Sequence, residues 1–521
     1  MSGIRFLNQP VREGFDKMLT NMLEYLERTA ARVPERVAFY DEQEKLTFSM
    51  LRDQAERIGT AMICASSDRS PAALLLDGRS IHTIPAMYGA LYAGRAYAPL
   101  DIAMPPQRLA QMLALLAPGI ILADEKGMRA LEAAGEICVP VLSFADAVCS
   151  VADLMLLDKI RAKTSMYDPM SILYTSGSTG IPKGSVQTQF SYLHWTEATI
   201  EMYGFDEHVI FGNQSPFFYA NSIIDIFPPV ALGATVYLLP SGILTFPGRL
   251  LECLNHHRVT ELTMTPSSFI GVVNAGVLKC GCLPHLRYGI MSGESMPWQP
   301  LEEWMRAAAN AEWYHFYGST EMFSVAVGKV EDKPKEGERL SVGRPFSEVH
   351  IVFVDENGDE VPDGECGEML VSSPWIAAGY HRDTVRTESS WATDPLSRGW
   401  YERFYRAGDL GYLRSDGHLV VLGRRDTQVK HMGYRMELGE VDAALRAIPG
   451  WQDGCVLFQK ETGKIWCFYT GGLSEKELRN ALKAKLARYM LPDVFRHLEE
   501  IPHTATHKLD RAALTAKMET E

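Results

Sequence analysis

Tyr174-Thr175-Ser176-Gly177-Ser178-Thr179-Gly180-Ile181-Pro182-Lys183-Gly184 is the stretch on which the reading of this chain turns. It continues an apolar, strand-like run, Ser171-Ile172-Leu173-Tyr174, and then crowds hydroxyls and glycines together. Glycine lets backbone N–H groups approach an anion closely and hydroxyls add further donors, so the composition is that of a phosphate cradle. Lys183 adds a positive charge just after Ile181-Pro182 stiffens the turn. The spacing differs from a Walker A loop, since Lys183 is followed by Gly184 and the glycines lie too close together. It also lacks the G-x-G-x-x-G of a dinucleotide fingerprint. The plain alternative is a Gly/Ser linker, but linkers rarely carry an ordered Pro-Lys-Gly end directly after a strand.

The surrounding chain has 521 residues, enough for two or more domains. Its 46% hydrophobic and 22% charged residues are those of an ordinary globular protein. A formal net charge of -14 excludes a general nucleic-acid binder, which needs clustered Lys and Arg to neutralise phosphates. No membrane segment is expected: the N-terminus lacks an apolar signal core, and Asp225 and Pro228-Pro229 interrupt the apolar stretch from Ile223 to Pro240. The 9 cysteines show no paired metal-ligand spacing, because Cys280-Gly281-Cys282 has no second pair. Reduced thiols and a cytoplasmic location are expected.

Periodicity alternates between helix and strand. Asn21 to Arg32 and Phe48 to Ser66 read as helices, Val37 to Tyr40 and Ala72 to Leu76 as strands, and Thr260 to Thr265 and Leu286 to Ser292 as further apolar runs closed by turns. Such alternation predicts α/β layers around largely parallel sheets. After the strand-like Leu419 to Leu422 comes the charged turn Gly423-Arg424-Arg425-Asp426, a natural hinge. Beyond it, Glu437 to Ile448 and Ser474 to Ala487 read as amphipathic helices around a strand, Ile465 to Tyr469, which makes a small α+β domain. Ser474 and Glu477 have the spacing of a capping box. The expected division is 1–425 for a large N-terminal domain and 426–521 for a small mobile one.

YTSGSTGIPKG resembles the phosphate loop of the adenylate-forming superfamily, which comprises acyl-CoA synthetases, firefly-type luciferases and the adenylation domains of nonribosomal peptide synthetases. Further stretches match in order over nearly the whole chain. Leu46-Thr47-Phe48-Ser49 and the run from Leu91 to Asp101 resemble early motifs of the peptide-synthetase branch, and favour a stand-alone adenylation enzyme of that type. The resemblance implies the superfamily's fold, a large N-terminal domain of layered sheets and helices with a small α+β C-terminal domain. It also implies ATP and Mg2+ as cofactors. Thr175, Ser176, Gly177, Ser178, Thr179, Gly180 and Lys183 would hold the departing pyrophosphate. In Tyr317-Gly318-Ser319-Thr320-Glu321, Tyr317 would stack on adenine, Thr320 would face the α-phosphate and Glu321 would hold the metal through its carboxylate oxygens. Gly293-Glu294 resembles the turn along the adenine, Asp409 the ribose-binding aspartate and Arg424 a second ribose contact. Asp426 would be the hinge, Gly433 the face that meets the thiol, and Lys508 the catalytic lysine. Family members usually carry Asn-Gly-Lys where this chain has Thr506-His507-Lys508.

By the same resemblance Tyr219, Ala220, Asn221, Ile224, Met264, Ile290, Ser292, Phe316, Ser324 and Val325 would line the acid pocket. Ala220 stands where enzymes for α-amino acids carry an aspartate for the substrate ammonium. A buried ammonium without a partner is costly, so the acid either lacks an α-amino group or has its amine held elsewhere, with Asn221 and Asp225 as the nearby substitutes. The expected reaction is attack of a small carboxylic or amino acid on the α-phosphate of ATP, then transfer to the pantetheine thiol of a separate carrier protein. Gly471-Gly472-Leu473-Ser474 reads as a turn and cap, so no carrier segment is expected within the chain. A ligase using free coenzyme A is the nearest alternative; a non-catalytic nucleotide binder and a luciferase-like oxygenase are the others.

Overall fold

The computed structural model describes residues 19–135, 138–176, 181–334, 340–362, 364–393, 395–396, 399, 401–424, 428–502 and 509–520. Its largest sheet has 9 strands. Val37–Tyr40, Thr235–Leu238, Ile210–Asn213, Glu261–Met264, Tyr288–Ser292 and Glu312–Ser319 run parallel, and antiparallel strands close both edges. A second sheet of 7 strands is also parallel at its centre, with antiparallel strands at one edge only. Its parallel centre is Val141–Ser143, Ile120–Ala123, Ala72–Leu75, Tyr97–Pro99 and Pro169–Thr175, and its antiparallel edge is Lys183–Thr188 with Gly379–Tyr380.

Helices Leu23–Arg32, Phe48–Ala65, Thr83–Tyr92 and Gln189–Tyr203 pack with one face of each sheet in a single core that includes Phe48, Met87, Tyr192, Phe211 and Ile290. Thr83–Tyr92 is apolar on every side and is buried throughout, as expected of a helix with no face left for solvent. Both sheets follow the expected helix and strand alternation. A third, antiparallel sheet holds His350–Val354, Gly367–Ser372, Arg403–Leu413, Trp391–Thr393 and Leu419–Arg424.

From residue 428 onward the chain builds a hairpin, Gln428–His431 with Tyr434–Glu437, and a 3-stranded sheet. Helices Leu438–Arg446 and Glu475–Lys483 cover it, and the cores here contain only residues from this part of the chain. Ser474 and Glu477 form the expected capping box, each satisfying a backbone N–H of the other. The charged turn read as a hinge is partly strand: Leu419–Arg424 continues through Gly423 and Arg424, while 425–427, with Asp426, lie outside the described residues. Ile223 to Pro240 breaks into a short turn, a helix and a strand, and no helix among the described residues is long and apolar enough to cross a membrane.

Candidate active site

Both large sheets deliver the ends of their strands to one cavity of about 1790 Å3. Pro169–Thr175 brings Thr175 and Ser176 to its wall. Thr175 Oγ1 is buried without a hydrogen-bond partner among the described residues, an orphan that a phosphate oxygen would satisfy. Lys183 opens the return strand directly opposite Thr175. Gly177, Ser178, Thr179 and Gly180 lie outside the described residues.

Glu312–Ser319 ends in the turn that carries Thr320 and Glu321. Gly318 makes that turn possible, because a Cβ there would lie 1.6 Å from the Phe323 carbonyl oxygen. Phe323 takes a φ of 47°, which closes the turn. The Thr320 carbonyl accepts from Gln187 Nε2 at 3.0 Å, which ties this turn to the second sheet. Glu321 is fully buried; Tyr380 Oη at 3.0 Å and Lys183 Nζ at 3.1 Å meet its Oε1, and Ser319 Oγ at 3.0 Å and Arg435 Nη1 at 2.7 Å meet its Oε2. Burial alone would raise the carboxyl, but Arg435 and Lys183 together hold it well below the usual carboxylate range. Lys183 itself is pulled down by burial and by the Arg435 charge, despite Glu321.

Asp409 and Arg424 face each other across an antiparallel pair, and Arg424 Nη1 lies 3.3 Å from Asp409 Oδ1. Tyr317 donates its hydroxyl to Asp409 Oδ2, so ring and carboxylate form one wall. Glu294 turns its carboxylate onto the N-terminus of helix Pro266–Asn274, accepting from the Ser267 N–H at 2.9 Å. Gly293 beside it has a φ of 94° and lines the cavity.

Tyr219, Ala220, Asn221, Ile224, Ser292, Phe316 and Ser324 line the cavity as expected, joined by Trp195 and Phe323. Ser292 donates to Asn221 Oδ1 at 2.7 Å, and Trp195 Nε1 donates to Ser324 Oγ at 3.2 Å. Asn221 Nδ2 has no partner among the described residues. Ile290 lies on the same strand face as Ser292 but one layer deeper. Two expectations are corrected. Met264 pairs with Met291 in register and points away from the cavity into the core of Phe269 and Trp304, so its strand presents Thr263 beside Ile290 instead. Val325, one residue beyond Ser324, points to the opposite side of its strand and packs with Met322, Met369 and Trp391. The side-chain period of a strand decides both.

Asp225 is no substitute for an aspartate at Ala220. It is not on the cavity wall, it accepts from Asn213 Nδ2 at 2.9 Å, and burial pushes it up to about 7. Glu261, also fully buried, is pushed up by burial and by the Asp225 charge. Neither carboxyl offers a fixed anion to the compartment above.

The hairpin of the small domain enters the cavity. Gly433 has a φ of 82° and a Cβ there would lie 3.0 Å from Thr265 Cγ2; its carbonyl accepts from the Tyr219 hydroxyl. Lys430 is held down to about 8 by burial, near Gly293 and between the carboxylates of Asp409 and Glu294. Ser176 Oγ donates to the Arg435 carbonyl at 3.0 Å. Lys430, Arg435 and Tyr380 were not among the residues expected from sequence. Lys430 and Arg435 follow the charged turn at 423–426 in sequence, and only the fold puts them here. Lys508 lies outside the described residues.

A family model described as AMP-binding enzyme matches residues 26–381. A D-alanine--D-alanyl carrier protein ligase of Bacillus velezensis is 29% identical over 506 residues, covering 94% of this chain and 98% of that protein. Bacitracin synthase 1 of Bacillus licheniformis is 27% identical over 510 residues, which cover 94% of this chain, but the chain spans only 9% of its length. Among solved structures, a Vibrio cholerae adenylation domain in complex with glycyl-adenosine-5'-phosphate has a TM-score of 0.83 at 20% identity, with 100% of both chains covered. That likeness is one of fold.

Proposed function

Because the chain belongs to the AMP-binding enzymes, we propose that it activates a small carboxylic acid as its acyl-adenylate and passes the acyl group to the pantetheine thiol of a separate carrier protein. The carrying observation is the convergence on one cavity of Thr175, Ser176, Tyr317, Thr320, Asp409 and Arg424 with the compartment of Ala220, Asn221, Ser292 and Ser324. Relatives that are D-alanine--D-alanyl carrier protein ligases support the second half.

In the first half-reaction a substrate carboxylate oxygen bonds to the α-phosphorus of ATP, and the bond to pyrophosphate breaks. Asp409 and Arg424 take the ribose, the Tyr317 ring takes the base, and Thr175, Ser176 and Lys183 take the departing phosphates. Catalysis of this kind is mostly positioning and stabilisation of charge. Lys508 is the proposed lysine between carboxylate and phosphate, and Asp426 the proposed hinge between a domain of 1–425 and one of 426–521. In the second half-reaction the thiol sulfur bonds to the acyl carbon and AMP leaves, with Gly433 at the thiol face.

Among the described residues, Trp195, Ala220, Asn221, Ile224, Ser292, Phe316, Phe323 and Ser324 wall one part of the cavity, and none of them carries a charge. Such a compartment favours an acid without a free amino group, anchored through hydroxyl or amide contacts. A magnesium ion on Glu321 is part of the family reading. In the arrangement described here its residues do not fit that ion, since both carboxylate oxygens already meet a cation.

ATP–pyrophosphate exchange across hydroxy, keto, aryl, α-amino and β-amino acids tests the proposal, followed by transfer to a pantetheinylated carrier or to coenzyme A. Exchange with a non-amino acid and transfer to the carrier are expected. No exchange with any acid would refute adenylation, and an α-amino acid as best substrate would refute the pocket reading.

A further inference from the structure

Glu321 and the arginine beyond the hinge are in direct contact. Arg435 Nη1 lies 2.7 Å from Glu321 Oε2, with the two side chains 9% and 0% exposed. Its Nε donates to Gln428 Oε1, and Gln428 Nε2 in turn donates to Glu437 Oε1 at 2.6 Å, so the guanidinium is fixed within its own hairpin. Glu321 thus carries a preorganised cation from the small domain at the position assigned to a metal.

We propose that Arg435 is a positioning residue that takes the place of the divalent cation on Glu321, so that metal binding and the observed seating of the hairpin exclude each other. The inference rests on reading Glu321 as the metal carboxylate of the proposed adenylation site. A buried carboxylate needs a cation, and two cations cannot occupy the same oxygen at hydrogen-bond or ligand distance without strong repulsion. Lys183 stays on the other oxygen and comes from the same domain as Glu321, so only Arg435 can report on domain position. The same seating puts the Gly433 carbonyl on Tyr219 and the Arg435 carbonyl on Ser176. It also pairs Arg108 with Glu440 at 2.6 Å, a bridge 9% and 2% exposed. Losing the Arg435 bridge therefore loosens a set of contacts, and the charge on Glu321 is coupled to where the thiol face sits. A cation that binds one of two such states shifts the equilibrium by its differential affinity alone.

The test uses the full chain with Mn2+ alone as probe, read by the free-ion paramagnetic resonance signal, and hydrogen exchange of residues 428–437. Arg435→Gln should bind Mn2+ more tightly than the unaltered protein, by a factor within the roughly 5- to 150-fold range of site coupling. Its hairpin amides should exchange fast without metal. Arg435→Lys, which keeps the charge, should return both readings toward those of the unaltered protein. In the unaltered protein, rising Mn2+ should itself speed hairpin exchange. Equal Mn2+ affinity in the two forms, or no binding to either, overturns the proposal. If Arg435→Gln does not fold, hairpin exchange in the unaltered protein that ignores saturating Mn2+ overturns it as well. No acid and no turnover enter these readings, so failure here and failure of adenylation are separable.

Discussion

Asp225→Asn should stabilise this protein, and should do so increasingly as the pH rises. Asp225 is buried at 1% exposure, and burial, only partly offset by Asn213 and Arg79, lifts its carboxyl from the usual 3.8 to about 7. The folded protein therefore keeps a proton that the unfolded chain has already released. Where the native state binds more protons, stability falls with rising pH, so the loss begins near the unfolded value and ends once the pH passes the folded one. The slope is about 1.4 kcal/mol per pH unit, which makes roughly 4 kcal/mol in all and about 3 kcal/mol between pH 5 and pH 8. The substituted amide has no charge to bury. Its oxygen can still accept from Asn213 Nδ2, and its N–H groups face a cluster in which Asn213 Oδ1 and Glu261 Oε2 are without partners. Thermal unfolding of both proteins at matched pH values is the assay. For a domain of this size the gap in Tm should widen by about 3 °C between pH 5 and pH 8 in favour of the variant. A gap that stays constant with pH, or a variant less stable at pH 8, would refute the reasoning.

Gly318→Ala forces a Cβ to within 1.6 Å of a backbone oxygen, so the turn under Thr320 and Glu321 must move. Displacement near 1 Å costs about a hundredfold in rate, and pyrophosphate exchange within a few-fold of normal would contradict this. Lys183→Met removes a cation from Glu321 and from the expected phosphate site. Loss of one such charge-stabilising donor should lower pyrophosphate exchange by about 10²- to 10³-fold, with secondary structure unchanged by circular dichroism. Ser474→Ala breaks the capping box and should cost the small domain about 1 kcal/mol, read from its urea midpoint; an unchanged midpoint would mean the cap carries no stability.

Much of this was legible one segment at a time. The alternation of helical and strand-like runs foretold parallel sheets because each segment's apolar period reflects the face it buries. Ser474 and Glu477 announced their cap because both partners lie within one turn. Thr175 ends its strand and Lys183 opens the next for the same local reason, and Asp409 and Arg424, though 15 residues apart, are joined through a simple antiparallel pair.

Other features depend on registers and packings that no local pattern carries. Whether Met264 or Thr263 shares a face with Ile290 is decided by parallel pairing with a strand more than twenty residues on, and a shift of one position would exchange them. The Asp225 and Glu261 carboxyls come within electrostatic reach because a turn and a strand from different crossovers pack together; burial raises both, and the Asp225 charge adds to the rise of Glu261. Arg435 lies 114 residues from Glu321, in a hairpin whose sequence does not show which carboxylate it meets. The chemistry proposed for the Thr175 to Lys183 stretch was thus written in a short run of sequence, because donors to an anion must be close together in space and consecutive residues already are. Which cation faces Glu321, and which side chains line the cavity beside it, belong to the tertiary structure alone, because long-range packing sets the distances between residues far apart in sequence.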